Sequence, residues 1–392
     1  MATDRLYYDD AYLTEFDARV VSIRADGWAA LDRSAFYPTS GGQPFDTGTL
    51  ACGDTVARVV DVEVEENIVW HKTEPVLAVG ELVHGQIDWP RRLEHMQQHA
   101  ADHMLAGAAW QMFGGVTIGL HVGHEVSSID MDLPGGRTHL TQEEADTLED
   151  LVNRRVQRDD PIRCWFPEAE ELAALPLRKK PTVAEHVRVV AMGDYEMVAC
   201  GGTHPSTTGQ IGPVKILSCA PARGKMRLTF VAGMRAVRYL RQAARCADEV
   251  AALLSADHLT AADTLRKERE IAAAQRKELG KKLTQAALQT VRAGQRENVY
   301  AAHLEFADPE TLLLVAREIT GEPRAIVLLS CPRKDQRMLV FARGAEADMD
   351  MAALLRQGGA RGGGKPDMAQ GSAPDGRAME EALRLLEGEL CI

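Results

Sequence analysis

The chain has 392 residues, too many for one ordinary hydrophobic core, so about two or three domains are expected. Its 45 basic and 57 acidic residues give a net charge of −12, which excludes a uniformly basic nucleic-acid binder while leaving room for a local basic surface. No apolar run approaches the ~18 residues of a membrane span, the charged start MATDRLYYDDAYLTEF lacks the apolar core of a signal peptide, and seven irregularly spaced cysteines do not make a disulfide framework. These features exclude a membrane partner and fit a reducing, cytoplasmic setting.

Residues 1–90 read as a small β-barrel or sandwich. ARVVSIRADGWAALDRSAFYP holds two short strand-like runs separated by Ala25-Asp26-Gly27, a hairpin signal. RVVDVEVEENIVWHK alternates apolar and polar residues, as a half-buried strand does. Within this region Gly41-Gly42-Gln43-Pro44 reads as a turn between strands.

At DWPRRLEHMQQHAADHMLAGAAWQMFGG the period changes to helical. Asp88 can cap the helix, Pro90 sits in the first turn, Gly107 weakens the pattern, and Gly114-Gly115 ends it. TQEEADTLEDLVNRRVQRD is a second, amphipathic helix with Thr141 and Glu144 as a capping box. Strand-like EVSSIDMDL, VRVVAM and KMRLTFVAG complete an α+β domain over 91–235. Residues 236–296 form a proline-free helical arm. Its charges are dominated by Arg266, Lys267, Arg269, Arg276, Lys277, Lys281, Lys282 and Arg292, either a solvated face or a surface facing nucleic acid. In 297–392, strands RAIVLLS and RMLVFAR alternate with helices DMAALLRQ and RAMEEALRLLEGEL, a small α/β domain with a glycine-rich loop between its helices. The whole is therefore an α+β multidomain chain.

The first helix carries His99 and His103, four residues apart and thus on one face. Alone this spacing is weak evidence, and Ala100 stands where a zinc peptidase has its glutamate. A second pair, Cys200 and His204 in CGGTHP, repeats the spacing in the same domain, with Gly201 and Gly202 permitting a tight turn. Together they supply a tetrahedral nitrogen and sulfur set suited to one Zn2+ per chain, as three or four protein ligands. His95 is excluded from the set, because it lies about 12 Å along the helix axis from His103, at ~1.5 Å per residue. Asp102 either supports a ligand or is a helix-surface charge. GARGGGKP, residues 359–366, departs from a phosphate-binding P-loop at Pro366, which has neither a hydroxyl nor a backbone N–H, so nucleotide hydrolysis is not expected.

His99-x-x-x-His103 with Cys200-Gly-Gly-Thr-His204 resembles the editing domain of alanyl-tRNA synthetases and, more closely, the long form of the free-standing AlaX proteins. FYPTSGGQPFDTG, MQQHAADHML, IGLHVGHEVSSIDMD and CGGTHPSTTGQIGPVKI follow the family pattern in order. GGGKPDMAQGS resembles the signature of a C-terminal DHH-associated type 1 domain. The resemblance implies trans-editing, the hydrolysis of mischarged seryl-tRNA(Ala) and also of glycyl-tRNA(Ala), and no aminoacyl-tRNA ligase activity, since the barrel begins almost at residue 1. It implies substrate contacts at Gly41, Gly42, Gln43, Ala100 and Thr203, with Ala100 where the family commonly has threonine and Ser40 where it commonly has glycine. The glycine-rich C-terminal loop, with Arg361, Gly364 and Lys365, either holds tRNA phosphate through backbone N–H groups and charge or is a mobile surface loop, and a homodimer through the C-terminal region is expected. Two other readings remain open: a tRNA-binding protein with structural zinc and no deacylase activity, and a small-molecule metallohydrolase.

Overall fold

The structure, a computed structural model, describes residues 2–181 and 186–390. They form a mixed α+β architecture in two compact units, Met1–Cys246 and Ala247–Ile392.

The first unit opens with the predicted barrel. Strands β1 (Glu15–Ile23), β2 (Trp28–Leu31), β3 (Gly48–Cys52), β4 (Thr55–Glu65), β5 (Ile68–Glu74) and β6 (Leu82–Ile87) close in the order β1-β2-β5-β4-β3-β6. The hairpin signal is borne out: β1 and β2 pair antiparallel, and Gly27 turns at φ +87°. Closure leaves no free edge, and alternate side chains fill the interior with Phe16, Ala18, Val20, Leu50, Val59, Val62 and Val69.

One polar side chain shares that interior. His71 is fully buried; its Nδ1–H donates to the Ala29 carbonyl at 3.1 Å, and its Nε2 accepts from the Ser34 hydroxyl at 2.8 Å. Burial, opposed by the Ala29 contact, lowers its pKa from 6.5 to about 4. Between these values the unfolded chain binds a proton that the folded chain refuses. Stability is therefore complete above about pH 6.5, falls as pH drops through that value, and levels off near pH 4 at a loss of about 3 kcal/mol. Urea unfolding of the wild type and His71→Asn across pH 4–8 is expected to show a shallower acid loss in the variant. Parallel curves would show that His71 does not titrate in this way.

Helix α1 (Trp89–Phe113) follows directly. Asp88 caps it, accepting from the Arg91 backbone N–H, Pro90 lies in its first turn, and Gly114 ends it at φ +68°. The helix is not amphipathic: Gln98 to Ala109 is buried without a break, the pattern of a central core helix. Gly107 sits inside it for a steric reason, since a Cβ there would lie 2.5 Å from the Glu196 carboxylate. Strands β7 (Val116–Val122) and β8 (Ser127–Asp132) are followed by helix α2 (Gln142–Gln157), which has the expected Thr141/Glu144 capping box. Next come β9 (Ile162–Trp165), β10 (Val189–Met192), β11 (Glu196–Ala199), β12 (Val214–Ala222) and β13 (Lys225–Ala232). Two sheets result, β12-β13-β8-β7 and β9-β10-β11. Gln98 pins α1 to the first: its amide donates to the Ala232 carbonyl and accepts from the Ala232 N–H, both at 2.9 Å.

The expected arm is two helices, α3 (Gly233–Leu253) and α4 (Ala261–Ala293). The eight basic residues named on the arm are all exposed. In the second unit, β14 (Val299–His303), α5 (Pro309–Ile319), β15 (Ile326–Arg333), β16 (Gln336–Arg343), α6 (Met351–Gln357), β17 (Arg361–Gly364), β18 (Met368–Ala373) and α7 (Arg377–Leu390) build a mixed sheet, β14-β15-β16-β18-β17. Alternate residues of β15 serve opposite faces. Ile326 and Leu328 join the core formed with Met351, Leu355 and Met379, while Val327 and Leu329 join the one formed with Ala287, Val291 and Val315. The glycine-rich segment is not the irregular loop expected from its composition. Arg361–Gly364 pairs antiparallel with β18 as an edge strand, because a Cβ on Gly362 or Gly364 would lie 2.2 or 2.3 Å from carbonyl oxygens of that neighbour. Arg361, Gly364 and Lys365 are all exposed on this hairpin. Among the described residues no helix is long and apolar enough to cross a membrane.

Candidate metal centre

The two predicted ligand pairs meet. The donor atoms of His99, His103, Cys200 and His204 all lie within 4.8 Å of one another. Cys200 Sγ is 3.3 Å from His99 Nε2 and 3.4 Å from His204 Nε2. The ring centroids of His103 lie 5.0 Å from those of both His99 and His204. His95 stands outside the cluster, as its axial distance requires, and is buried.

Each half of the cluster is held by its own supports. Cys200 follows β11 directly, and its N–H extends the ladder to the Arg188 carbonyl at 2.9 Å. The Arg188 guanidinium returns to the same loop, donating from Nη1 to the carbonyls of Cys200 (3.2 Å) and Gly202 (2.8 Å). Ser206 donates its N–H to the Tyr12 hydroxyl at 2.8 Å. Neither Gly201 nor Gly202 needs a positive φ, so the expected turn is not the reason for this glycine pair. Gly202 is required by close approach: a Cβ there would meet His99 Cε1 at 2.2 Å and Gln43 Oε1 at 3.0 Å.

Gln43 ties the barrel turn to this loop and to the helix. Thr203 N–H can only donate, so the atom it meets at 3.2 Å is the Gln43 amide oxygen. The same oxygen lies 2.8 Å from His99 Nδ1, which must therefore carry the proton and leave Nε2 free as a ligand atom. Gln43 Nε2 donates to the Thr203 hydroxyl at 2.7 Å. Gln43, Thr203 and Ala100 are each fully buried, with Ala100 inside the apolar core. The expected substrate contacts at these three positions thus have protein neighbours, and Gly42 approaches the Leu120 carbonyl so closely that a Cβ would lie 2.7 Å away. Gly41 and Ser40 are exposed at the turn.

The chemistry of the donor set fits a metal ion. Both nitrogens of His103 and Nδ1 of His204 are buried with no hydrogen-bond partner among the described residues, a costly arrangement unless something else satisfies them. Burial, with Arg188 adding to it, lowers the His99 pKa to about 4; burial and neighbouring imidazoles hold His103 and His204 well below the usual imidazole range. All three are thus neutral and ready to ligate. Burial pushes the Cys200 thiol up to about 12, despite the Gly202 N–H, so a cation must itself draw off that proton.

Asp102 is not the helix-surface charge of one reading. It is 4% exposed, its Oδ1 has no partner, and burial raises its pKa to about 7, with Arg178 opposing and Glu196 adding. Arg178 and Glu196 form a buried ion pair at 2.8 Å. Neither Glu196 nor Arg188 was indicated by any sequence motif, since single charged residues in strand-like runs carry no spacing signal.

Cys200 also lines a cleft of about 830 Å³. Arg5, Tyr8, Phe166, Lys179, Lys180 and Arg188 line it as well. The run Arg178-Lys179-Lys180-Pro181 was a visible basic signal in the sequence.

A closed barrel followed by an α+β unit with a buried three-imidazole, one-thiol cluster defines a protein suited to coordinating a metal beside a basic cleft. The chain is homologous, over most of its length, to domains of alanyl-tRNA synthetases. Residues 9–91 match the family described as tRNA synthetases class II (A), and residues 187–228 match the threonyl and alanyl tRNA synthetase second additional domain. The alanine–tRNA ligase of Thermococcus kodakarensis is 31% identical over 402 residues, covering 97% of this chain and 43% of that protein. That of Pyrobaculum neutrophilum is 33% identical, covering 97% and 44%, and that of Korarchaeum cryptofilum is 32% identical, covering 99% and 45%. The chain thus spans less than half the length of these relatives. The crystal structure of the C-Ala domain from Aquifex aeolicus alanyl-tRNA synthetase matches 23% of this chain and 87% of that one, at 23% identity and a TM-score of 0.22, too low for a fold comparison.

Proposed function

We propose that this chain hydrolyses mischarged tRNA(Ala), seryl-tRNA(Ala) first and glycyl-tRNA(Ala) second, at one zinc ion held by His99, His103, Cys200 and His204. The observation that carries the reading is the convergence of four ligand atoms within 4.8 Å, with orphaned imidazole nitrogens, in a chain homologous to alanyl-tRNA synthetase domains. Three nitrogens and a sulfur suit zinc over harder cations. A zinc ion bound there supplies Lewis-acid polarisation, a more acidic water or an anchor for the substrate.

The protein's own groups then have defined tasks. Gln43 holds His99 in its ligating tautomer, and Arg188 holds the Cys200 loop. Cys200 is the ligand that reaches the cleft, so the ester approaches from its side. Ala100 brings no hydroxyl and is walled into the core, so rejection of alanine falls to groups lining the cleft.

Deacylation of seryl-, glycyl- and alanyl-tRNA(Ala), with zinc measured on the same sample, tests this reading. Hydrolysis of the first two with alanyl-tRNA(Ala) spared is the expected result. A second reading is favoured by the closeness of all four donors, which suits a closed structural site: it predicts tRNA binding with no deacylation.

The second unit is assigned to tRNA and dimer contacts, with Arg361, Gly364 and Lys365 on its exposed hairpin. Because Ala287 and Val291 of α4 belong to its core, a cut at residue 297 would strip that core. Deleting 254–392 is the cleaner variant. It is expected to weaken tRNA(Ala) binding about tenfold or to abolish dimers in light scattering, while zinc content stays unchanged. Unaltered tRNA affinity and oligomeric state would remove that role.

A further inference from the structure

We propose that a different cleft of the first unit, between the barrel, the first turns of α1 and the start of α3, binds a small organic oxyanion, its acidic head on Arg91 and Arg238 and its apolar body on Trp89, Leu93 and Met234. This cleft shares no lining residue with the one that opens on Cys200, and its ligand does not depend on the deacylase reading.

The floor of the cleft carries a polar group that the protein leaves unanswered. His95 lines it and is 3% exposed, and its Nδ1 has no hydrogen-bond partner among the described residues. Buried imidazole nitrogens are normally paired, so a ligand that bonds this ring gains a contact the fold has not already made. Burial first, then Arg91 and Arg235, lower the His95 pKa to about 3, with Glu94 opposing and Arg92 adding. The ring is therefore neutral, and the cations that keep it so make the floor attractive to an anion. A metal ion fits less well: among the described residues the group placed to hold one is the His99 cluster, which excludes His95, His124 and Glu94.

The charges in the cleft are unequally committed. Both acids already have partners. Asp88 accepts from the Arg91 backbone N–H at 3.3 Å and from the Thr47 hydroxyl at 3.2 Å, and Glu94 is bridged by Arg235 and Arg238. Arg235 is buried and also donates to the Gly123 carbonyl at 2.7 Å, which fixes it as a structural cation. Arg91 is different. Its Nε donates to the Phe45 carbonyl at 3.1 Å and its guanidinium carbon lies 5.3 Å from the Phe45 ring centroid, yet it meets no carboxylate among the described residues. Its position is set while its two terminal nitrogens remain available for the paired oxygens of a phosphate or carboxylate. Arg238, 56% exposed, stands at the rim with donors beyond the one given to Glu94.

The remaining wall is apolar. Met234 is 53% exposed, and Trp89 packs tilted against Tyr12 with ring centroids 5.1 Å apart. At about 620 Å³ the cleft lies in the range of roughly 300–1,000 Å³ that encloses small-molecule ligands, far more than a bare anion fills. An acidic head joined to an apolar body uses both halves.

The test is calorimetric titration of the full chain with AMP, phenylacetate, inorganic phosphate and adenosine. AMP or phenylacetate is expected to bind, with inorganic phosphate and adenosine, which each lack one half, about tenfold weaker or more. Binding of AMP alone assigns a phosphate head, and of phenylacetate alone a carboxylate. Arg91→Gln is expected to weaken binding about tenfold. Arg238→Gln repeats the test at an exposed side chain whose loss leaves Glu94 paired to Arg235. Ligand quenching of tryptophan fluorescence should vanish in Trp89→Phe while calorimetric binding persists. A wild type that binds neither organic anion, or both arginine variants binding as tightly as wild type, would overturn the site. Inorganic phosphate bound as tightly as AMP would overturn the apolar half.

Discussion

His103→Ala and Cys200→Ala are each expected to abolish deacylation of seryl-tRNA(Ala), by about 100-fold or more, and to lower bound zinc well below one per chain. Loss of an outer partner of a ligand already costs about 10–100-fold in metal affinity or activity, and loss of the ligand itself costs more. The effect follows from the geometry: the donors sit on two segments a hundred residues apart, and nothing else in the cluster replaces a missing one. The pH dependence of loading has a fixed sign. The Cys200 thiol, at about 12, is protonated throughout the working range, whereas burial lowers His99 to about 4 and holds His103 and His204 well below the usual imidazole range, which favours their neutral, ligating form. Zinc binding therefore releases about one proton, and log affinity should rise by about one per pH unit between pH 5 and 8. Competition against a chelator of known affinity measures both. Full deacylation by metal-free protein would remove the metal role.

Arg92→Met alone is expected to cost about 3–5 kcal/mol of stability, and Asp46→Leu alone a similar amount. Both side chains are fully buried. Arg92 Nε donates to Asp46 Oδ2 at 2.8 Å, and its Nη1 donates to the Ala11 carbonyl at 2.9 Å. Asp46 also accepts from the Tyr37 N–H at 2.6 Å. Removing one partner strands the other charge away from water; removing both strands none. The double variant should therefore recover part of the loss, short of all of it, because the Ala11 and Ala35 carbonyls and the Tyr37 N–H lose their partners. Urea unfolding of the two single variants and the double variant completes the cycle. A loss under about 1 kcal/mol in both single variants would show that the pair is not what joins α1 to the barrel. The consequence reaches the metal set, since Arg92 lies two turns before His99 on the same helix and Asp46 lies three residues after Gln43.

Much of this was legible locally. The alternation in β4 and β5, the Asp88 cap, the Thr141/Glu144 box and the hairpin at Gly27 are short-range signals, and each occurs where its spacing indicates. The four ligands were legible because two pairs repeat the same spacing. Composition misled at the C-terminus, where glycine appeared to mark a loop. In the folded chain it marks an edge strand lying close against its neighbour.

The order of elements, the α+β class and the identity of the metal-ligand candidates follow from period, capping and i, i+4 spacing, which act within a few residues. What surrounds those ligands depends on long-range folding. It made Gln43 a partner of His99 and Thr203, placed Arg188 on the Cys200 loop, buried Asp102, and gathered Arg5, Tyr8, Phe166 and Lys179 around one cleft. The hydrogen bonds among them join residues up to 160 positions apart, from Gln43 to Thr203. No local periodicity records such a pairing; it arises when the barrel, the buried helix and the CGGTH loop close around a shared core.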